Sequence, residues 1–131
     1  MTGSARDFLV QFENLELSAP DFRHRDHLFV AYEMLGKYEF VDACARYART
    51  IRTMAENVGV PEKYNVTITF AFMSLVAERK ALPNHTDFET FLVANSDLLE
   101  KDVLKAWYST DRLTSATARD RFLLPDKAAI L

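Results

Sequence analysis

The apolar positions of this chain recur every three or four residues through most of its length, which is the spacing of helices packed on a shared core. Phe8, Leu9, Val10, Phe12, Leu15 and Leu17 predict a short helix or turn, interrupted by Glu13 and Glu16. Pro20 disfavours helical geometry at Ala19, and Asp21 can cap the next helix. From His24 the run HRDHLFVAYEML places Leu28, Ala31, Tyr32 and Leu35 on one face, with Gly36 as the expected stop. Residues 38–58 give the clearest helix. Phe40, Ala43, Tyr47, Ile51, Met54 and Val58 form its apolar stripe, and Gly59 and Pro61 end it.

Residues 64–79 fit two periods. Val66, Ile68 and Phe70 alternate with Thr67 and Thr69 as in a strand, while Val66, Phe70, Met73 and Val76 share a helical face. A run of about sixteen residues is too long for an ordinary strand, so a largely buried helix is expected. Beyond the loop at Pro83, Thr86 is expected to cap a helix to Ala94, with Glu89 completing a capping box. Ser96 is expected to cap a helix through Tyr108, and a last short helix runs from Thr114 or Ser115 to Phe122, before Pro125. The tail from Lys127 to Leu131 is expected to lie across the body or fray. The pattern predicts an all-α fold, a compact bundle of five to seven helices. It forms one domain over residues 1–131 with its core at about 8–124.

Composition narrows this further. With 131 residues the chain has the size of one domain, and 3 Gly with 4 Pro favours few long elements over many short ones. The net charge of -3 and the interleaving of acids with bases argue against a nucleic-acid partner. The single cysteine, Cys44, fits a reducing compartment and a buried, inert position. No apolar run approaches the length of a membrane span, and Met1 to Asp7 is not followed by a signal-like apolar region, so a cytoplasmic location is expected. Oligomeric state stays open, a homodimer included.

Candidate chemistry begins with His24 and His27, three residues apart on one side of a helix and bordering its apolar stripe. A histidine beside a core can move protons near neutral pH or bind a metal; it can equally serve as a backbone hydrogen-bonding group. Asp26 reads as a first-turn acid favoured by the helix dipole, and Arg25 and Glu33 as solvated side chains. A second polar cluster, Tyr64, Asn65, Thr67 and Thr69, opens the greasy segment. Capping by Asn65 and back-bonding by Thr69 to its own helix are the structural alternatives there. Two buried polar clusters on different helices of a small core need each other, or a ligand, to be satisfied. That predicts one shared pocket for a small molecule. Tyr108, Ser109 and Arg119 are rim candidates, Arg119 as an anion holder, and His85 is expected at the surface. P-loop, GxGxxG, GxSxG and HExxH motifs are absent, and Cys44 lacks a CxxC partner.

Four segments, FRHRDHL (22–28), KYNVTIT (63–69), FLVAN (91–95) and ARDRFLLPD (118–126), resemble a family of small uncharacterised bacterial proteins. That family has the pattern HxxHL, YHxTxT, FLxxNPxL and ARxxFxxPD. The resemblance spans about residues 20–126 and implies the helical fold and a set of positions, with no activity attached. Asn65 stands where that pattern has a third histidine, and Ser96 where it has proline. An amide oxygen is a poor transition-metal ligand, so the expected site uses no metal and no cofactor. The sequence therefore supports an enzyme with His24 or His27 as general acid or base, and with Tyr64, Asn65, Thr69 and Arg119 holding substrate. An isomerisation, cyclisation or elimination in specialised metabolism would suit those groups. The alternatives are a non-catalytic binding or interaction domain with a structural histidine–asparagine network, and a divalent metal site.

Overall fold

A computed structural model describes residues 4–127. Among them are seven α-helices, four single-turn 3-10 segments and no strand. Helix α1 spans Ser4–Glu13, α2 His24–Lys37, α3 Phe40–Asn57, α4 Val66–Lys80, α5 Phe88–Ala94, α6 Thr110–Leu113 and α7 Ala116–Asp120. Helices α2, α3 and α4 pack against one another, α1 lies over α2 and α3, and α7 lies on α4. No helix is long and apolar enough to cross a membrane among the described residues.

The strand-like alternation at residues 66–70 gives way to helix α4. Both Thr67 and Thr69 are buried, along with Phe72, Met73, Leu75 and Val76, so the helix is enclosed on most of its circumference. An apolar strand would leave its backbone groups without partners in a core that has no other strand. On α3 the buried stripe is Ala43, Cys44, Tyr47, Ala48 and Met54, whereas Phe40 and Val58, at the two ends, are about half exposed. Cys44 is buried, and burial pushes its thiol up to about 11.

Several expected boundaries move for local reasons. Gly36 does not stop α2, which continues to Lys37. The Lys80 ammonium crosses above this glycine to donate to the Tyr32 carbonyl at 2.7 Å, and a Cβ on Gly36 would sit 2.8 Å from it. The glycine makes room for a crossing side chain instead of ending a helix. The Asp26 carboxylate, not Asp21, caps the start of α2, accepting from the Arg23 amide at 2.9 Å. Asp87, not Thr86, caps α5, exchanging hydrogen bonds with Thr90 in place of the expected Glu89.

The largest difference lies at residues 96–108, where the spacing predicts one helix. The chain forms two 3-10 turns, Ser96–Leu99 and Val103–Ala106, with Glu100 extended between them. In a continuous helix the Leu98 carbonyl would accept from residue 102. Here it accepts from the His24 ring, and Asp97 is held by both terminal nitrogens of Arg79 at 2.7–2.8 Å. The expected last helix is α7, capped by Ser115 and ending two residues early at Asp120, and a further one-turn helix, α6, capped by Ser109, precedes it.

The segment after α7 is tied down by polar contacts. Thr67, fully buried, donates to the Arg121 carbonyl at 2.5 Å and accepts from the Leu123 amide at 3.0 Å. Tyr108 donates to the Leu123 carbonyl, and Ser109 donates twice to the Asp126 carboxylate. Tyr108 and Ser109 are therefore clasps for the closing segment and not rim contacts. The Lys127 amide donates to the Trp107 carbonyl; the remainder of the expected tail lies outside the described residues. Thr67→Val, nearly the same shape, leaves the Leu123 amide and Arg121 carbonyl without this partner. It is expected to lower unfolding stability by about 2 kcal/mol in urea titration and to speed amide exchange at Leu123.

Candidate functional site

Helices α2, α3 and α4 diverge at one end of the bundle around a half-open cavity of about 230 Å³. Its walls bring His24 and His27 of α2 together with Tyr64, Asn65 and Thr69 at the start of α4. Ile51, Ile68, Phe72, Val103 and Leu104 supply the apolar lining. The cavity is a little smaller than the usual range of ligand pockets and has their usual mixture of apolar walls and few polar groups.

Each histidine is anchored through one ring nitrogen. His24 Nε2 donates to the Leu98 carbonyl at 2.8 Å, so the neutral ring bears its proton there and leaves Nδ1 as a lone pair. His24 also packs on Phe72 with ring centroids 5.8 Å apart. His27 Nδ1 pairs with the Tyr47 hydroxyl at 3.0 Å. The phenol is the natural donor of the two, which assigns the His27 proton to Nε2. His27 further lies 4.3 Å, centroid to centroid, from Phe22, which stacks on Phe12.

These aromatic neighbours remove water from His27. Burial, reinforced by the nearby His24 and opposed by Asp26, pushes its pKa from the ordinary 6.5 down to about 4. His27 is thus a neutral imidazole across the physiological range. Tyr47 is fully desolvated and its phenol is held protonated. Burial also raises the Tyr64 phenol, partly offset by Arg52.

Asn65 behaves as the capping alternative expects. Its Oδ1 accepts from the Ile68 amide at 2.9 Å, and its Nδ2 donates to the Leu113 carbonyl at 2.7 Å, joining α4 to α6. Thr69 does not back-bond to its own helix: its hydroxyl makes no hydrogen bond among the described residues. No fully buried side-chain polar atom is left unpartnered there, so this hydroxyl opens onto the cavity that Thr69 lines. Thr67 belongs to the clasp on the C-terminal segment. Arg119 is exposed on α7 and lines a separate shallow depression with Arg52, Glu56 and Glu62, touching the cavity region only through Tyr64. His85 is half-buried, with its ring edge-on to Tyr32 and 5.0 Å from Phe91.

Tyr47, Lys63 and Lys101 also line the cavity and are not among the expected site residues. Tyr47 carries a signal in the sequence, since a phenol in a core stripe needs a polar partner. Lys63 and Lys101 carry none, because each sits in a polar turn that looks like any other. Among the described residues no group of three His, Cys, Asp or Glu side chains comes together in metal-binding range. Comparisons with protein-family models, with curated proteins and with solved structures give no match to this chain.

The displaced titration of His27 makes stability depend on pH. Below pH 6.5 the unfolded chain protonates this residue, while the folded chain resists until about pH 4. Its contribution is therefore fully present above 6.5 and is lost as pH falls through that window, up to about 3 kcal/mol in all. Urea unfolding of the parent chain at successive pH values should show this decline, and His27→Gln, which cannot titrate, should flatten it.

Proposed function

We propose that this chain binds a small metabolite between α2, α3 and α4 and acts on it by histidine acid–base chemistry, in an isomerisation, cyclisation or elimination. The observation that carries this reading is the division of labour within the histidine pair. Both rings line one cavity, and each is anchored through one nitrogen with its second nitrogen free of protein partners among the described residues. The two free nitrogens differ in kind. His24 Nδ1 offers a lone pair, and His27 Nε2–H offers a neutral donor.

Such a pair suits proton removal next to a carbonyl. His24 Nδ1 takes the proton from the carbon, and the bonding electrons move to the carbonyl oxygen, where the His27 N–H stabilises the developing charge. Where that carbon bears a hydroxyl, His24 returns the proton to the former carbonyl carbon while the hydroxyl proton passes to the other oxygen and the new carbonyl forms. Otherwise a group one carbon further on departs with its bonding electrons. Thr69, Tyr64 and the apolar walls would orient the substrate. With two histidines beside Asn65, the donor set falls short of the three protein ligands of a zinc site. The resemblance to the bacterial family supports the same location. Its first two segments supply the cavity walls, the third leads into Leu98, and the fourth is clasped by Thr67 on the same helix.

A structural network is the second reading, favoured by the protein partners that His24, His27 and Asn65 each have. The two readings separate on turnover. Small ketones and keto acids incubated with the protein in D₂O should exchange the hydrogen next to the carbonyl, followed by proton NMR. In a His24→Ala, His27→Ala double variant the exchange should slow by about 100-fold or more. A loss below about tenfold, with a folded variant, would leave only the structural reading.

A further inference from the structure

The charge around the cavity is opposite in sign to that of the chain. The protein as a whole carries -3, yet no Asp or Glu lines the cavity, and two lysines do. Lys63 and Lys101 make no ion pair and no side-chain hydrogen bond among the described residues. Glu62, Glu100 and Asp102, their neighbours in the chain, are exposed and stay out of the lining. An adjoining open depression shares His24, His27 and Lys101 and adds Arg23, with no carboxylate in its lining, while Arg25 there is paired with Glu89. Two long helices, α2 and α4, begin beside the cavity, at His24 and just after Asn65.

Inside this field sits a polar group that the protein does not use. Thr69 is 7% exposed, its hydroxyl has no hydrogen bond among the described residues, and it lines the cavity. Its oxygen is accessible from the cavity and free to meet a ligand there. Beyond it the walls are apolar, from Ile51, Ile68, Phe72 and Val103.

We propose that the ligand of this cavity is a small organic anion, an apolar body ending in a carboxylate. The carboxylate lies between Lys63 and Lys101 and accepts from Thr69, while the body rests against the apolar walls and the histidines. Two lysines and one hydroxyl suit the two oxygens of a monoanion. The lining contains no arginine fork of the kind that favours a phosphate dianion. This inference rests on the reading of the cavity as a ligand site, and it is independent of whether the histidines catalyse.

Three probes of one shape test it: phenylacetate, the neutral phenylacetamide and phenyl phosphate, each titrated by calorimetry. Phenylacetate is expected to bind at least about tenfold more tightly than the other two, and more weakly as salt rises. Lys63→Gln with Lys101→Gln should weaken phenylacetate by about tenfold or more and leave phenylacetamide unchanged. Both lysines are exposed, so the variant should keep the parent melting temperature. Equal binding of acid and amide, or an unaffected lysine variant, overturns the anionic class while leaving a ligand cavity in place. Preference for phenyl phosphate replaces carboxylate by phosphate, and failure of all three probes to bind overturns the proposal. Loss of deuterium exchange in the histidine variant without loss of phenylacetate binding leaves the carboxylate assignment standing.

Discussion

The hydrogen bond between His24 and the Leu98 carbonyl organises the end of the bundle where the cavity forms. It joins the first residue of α2 to a segment 74 positions later in the chain. The Leu98 carbonyl accepts from the imidazole where residues 96–106 fold as two short 3-10 turns separated by residues 100–102. That irregular path brings Lys101, Val103 and Leu104 to the mouth of the cavity. The same bond decides which nitrogen of His24 holds the proton. One interaction thus ties the irregular segment to α2 and sets the tautomer of a side chain in the cavity wall.

The second histidine is governed by a different balance. His27 is surrounded by Phe22 and Tyr47, and the cost of placing a charge there exceeds what Asp26 returns. Its neutrality follows from burial and not from any specific partner. Two chemically identical side chains, three residues apart, therefore end in different roles. The difference comes from what packs on each ring.

Polar groups elsewhere in the core divide cleanly between structure and opportunity. Thr67 closes the C-terminal segment onto α4, and Asn65 both caps α4 and holds α6. Thr69, on the same helix, lines the cavity with its hydroxyl unpartnered among the described residues. In the sequence these three stand side by side and look equivalent. Only their burial against different segments separates them, since a helix turns each neighbour by about 100°.

Much of the fold is readable from the chain. The 3.6-residue spacing marks the three central helices, and length resolves the strand-like alternation at Val66 to Phe70 in favour of helix. The histidine pair is visible as two side chains on one face, and it lines one cavity with the start of α4, although His24, His27 and Asn65 each find their hydrogen-bond partners in other segments. Local pattern cannot supply facts about distant neighbours. Gly36 looks like a terminator until Lys80 is seen to cross it, and residues 96–108 look helical, yet they form two 3-10 turns tied to α2 through His24. Arg119 looks like a member of the site until α7 carries it to another face. Lys63 and Lys101 acquire meaning only through the cavity they border. Periodicity is a property of the chain itself and so was determined by the sequence. The choice among possible partners for each polar group was made by tertiary packing, because it depends on which segments, far apart in the chain, come within hydrogen-bonding distance.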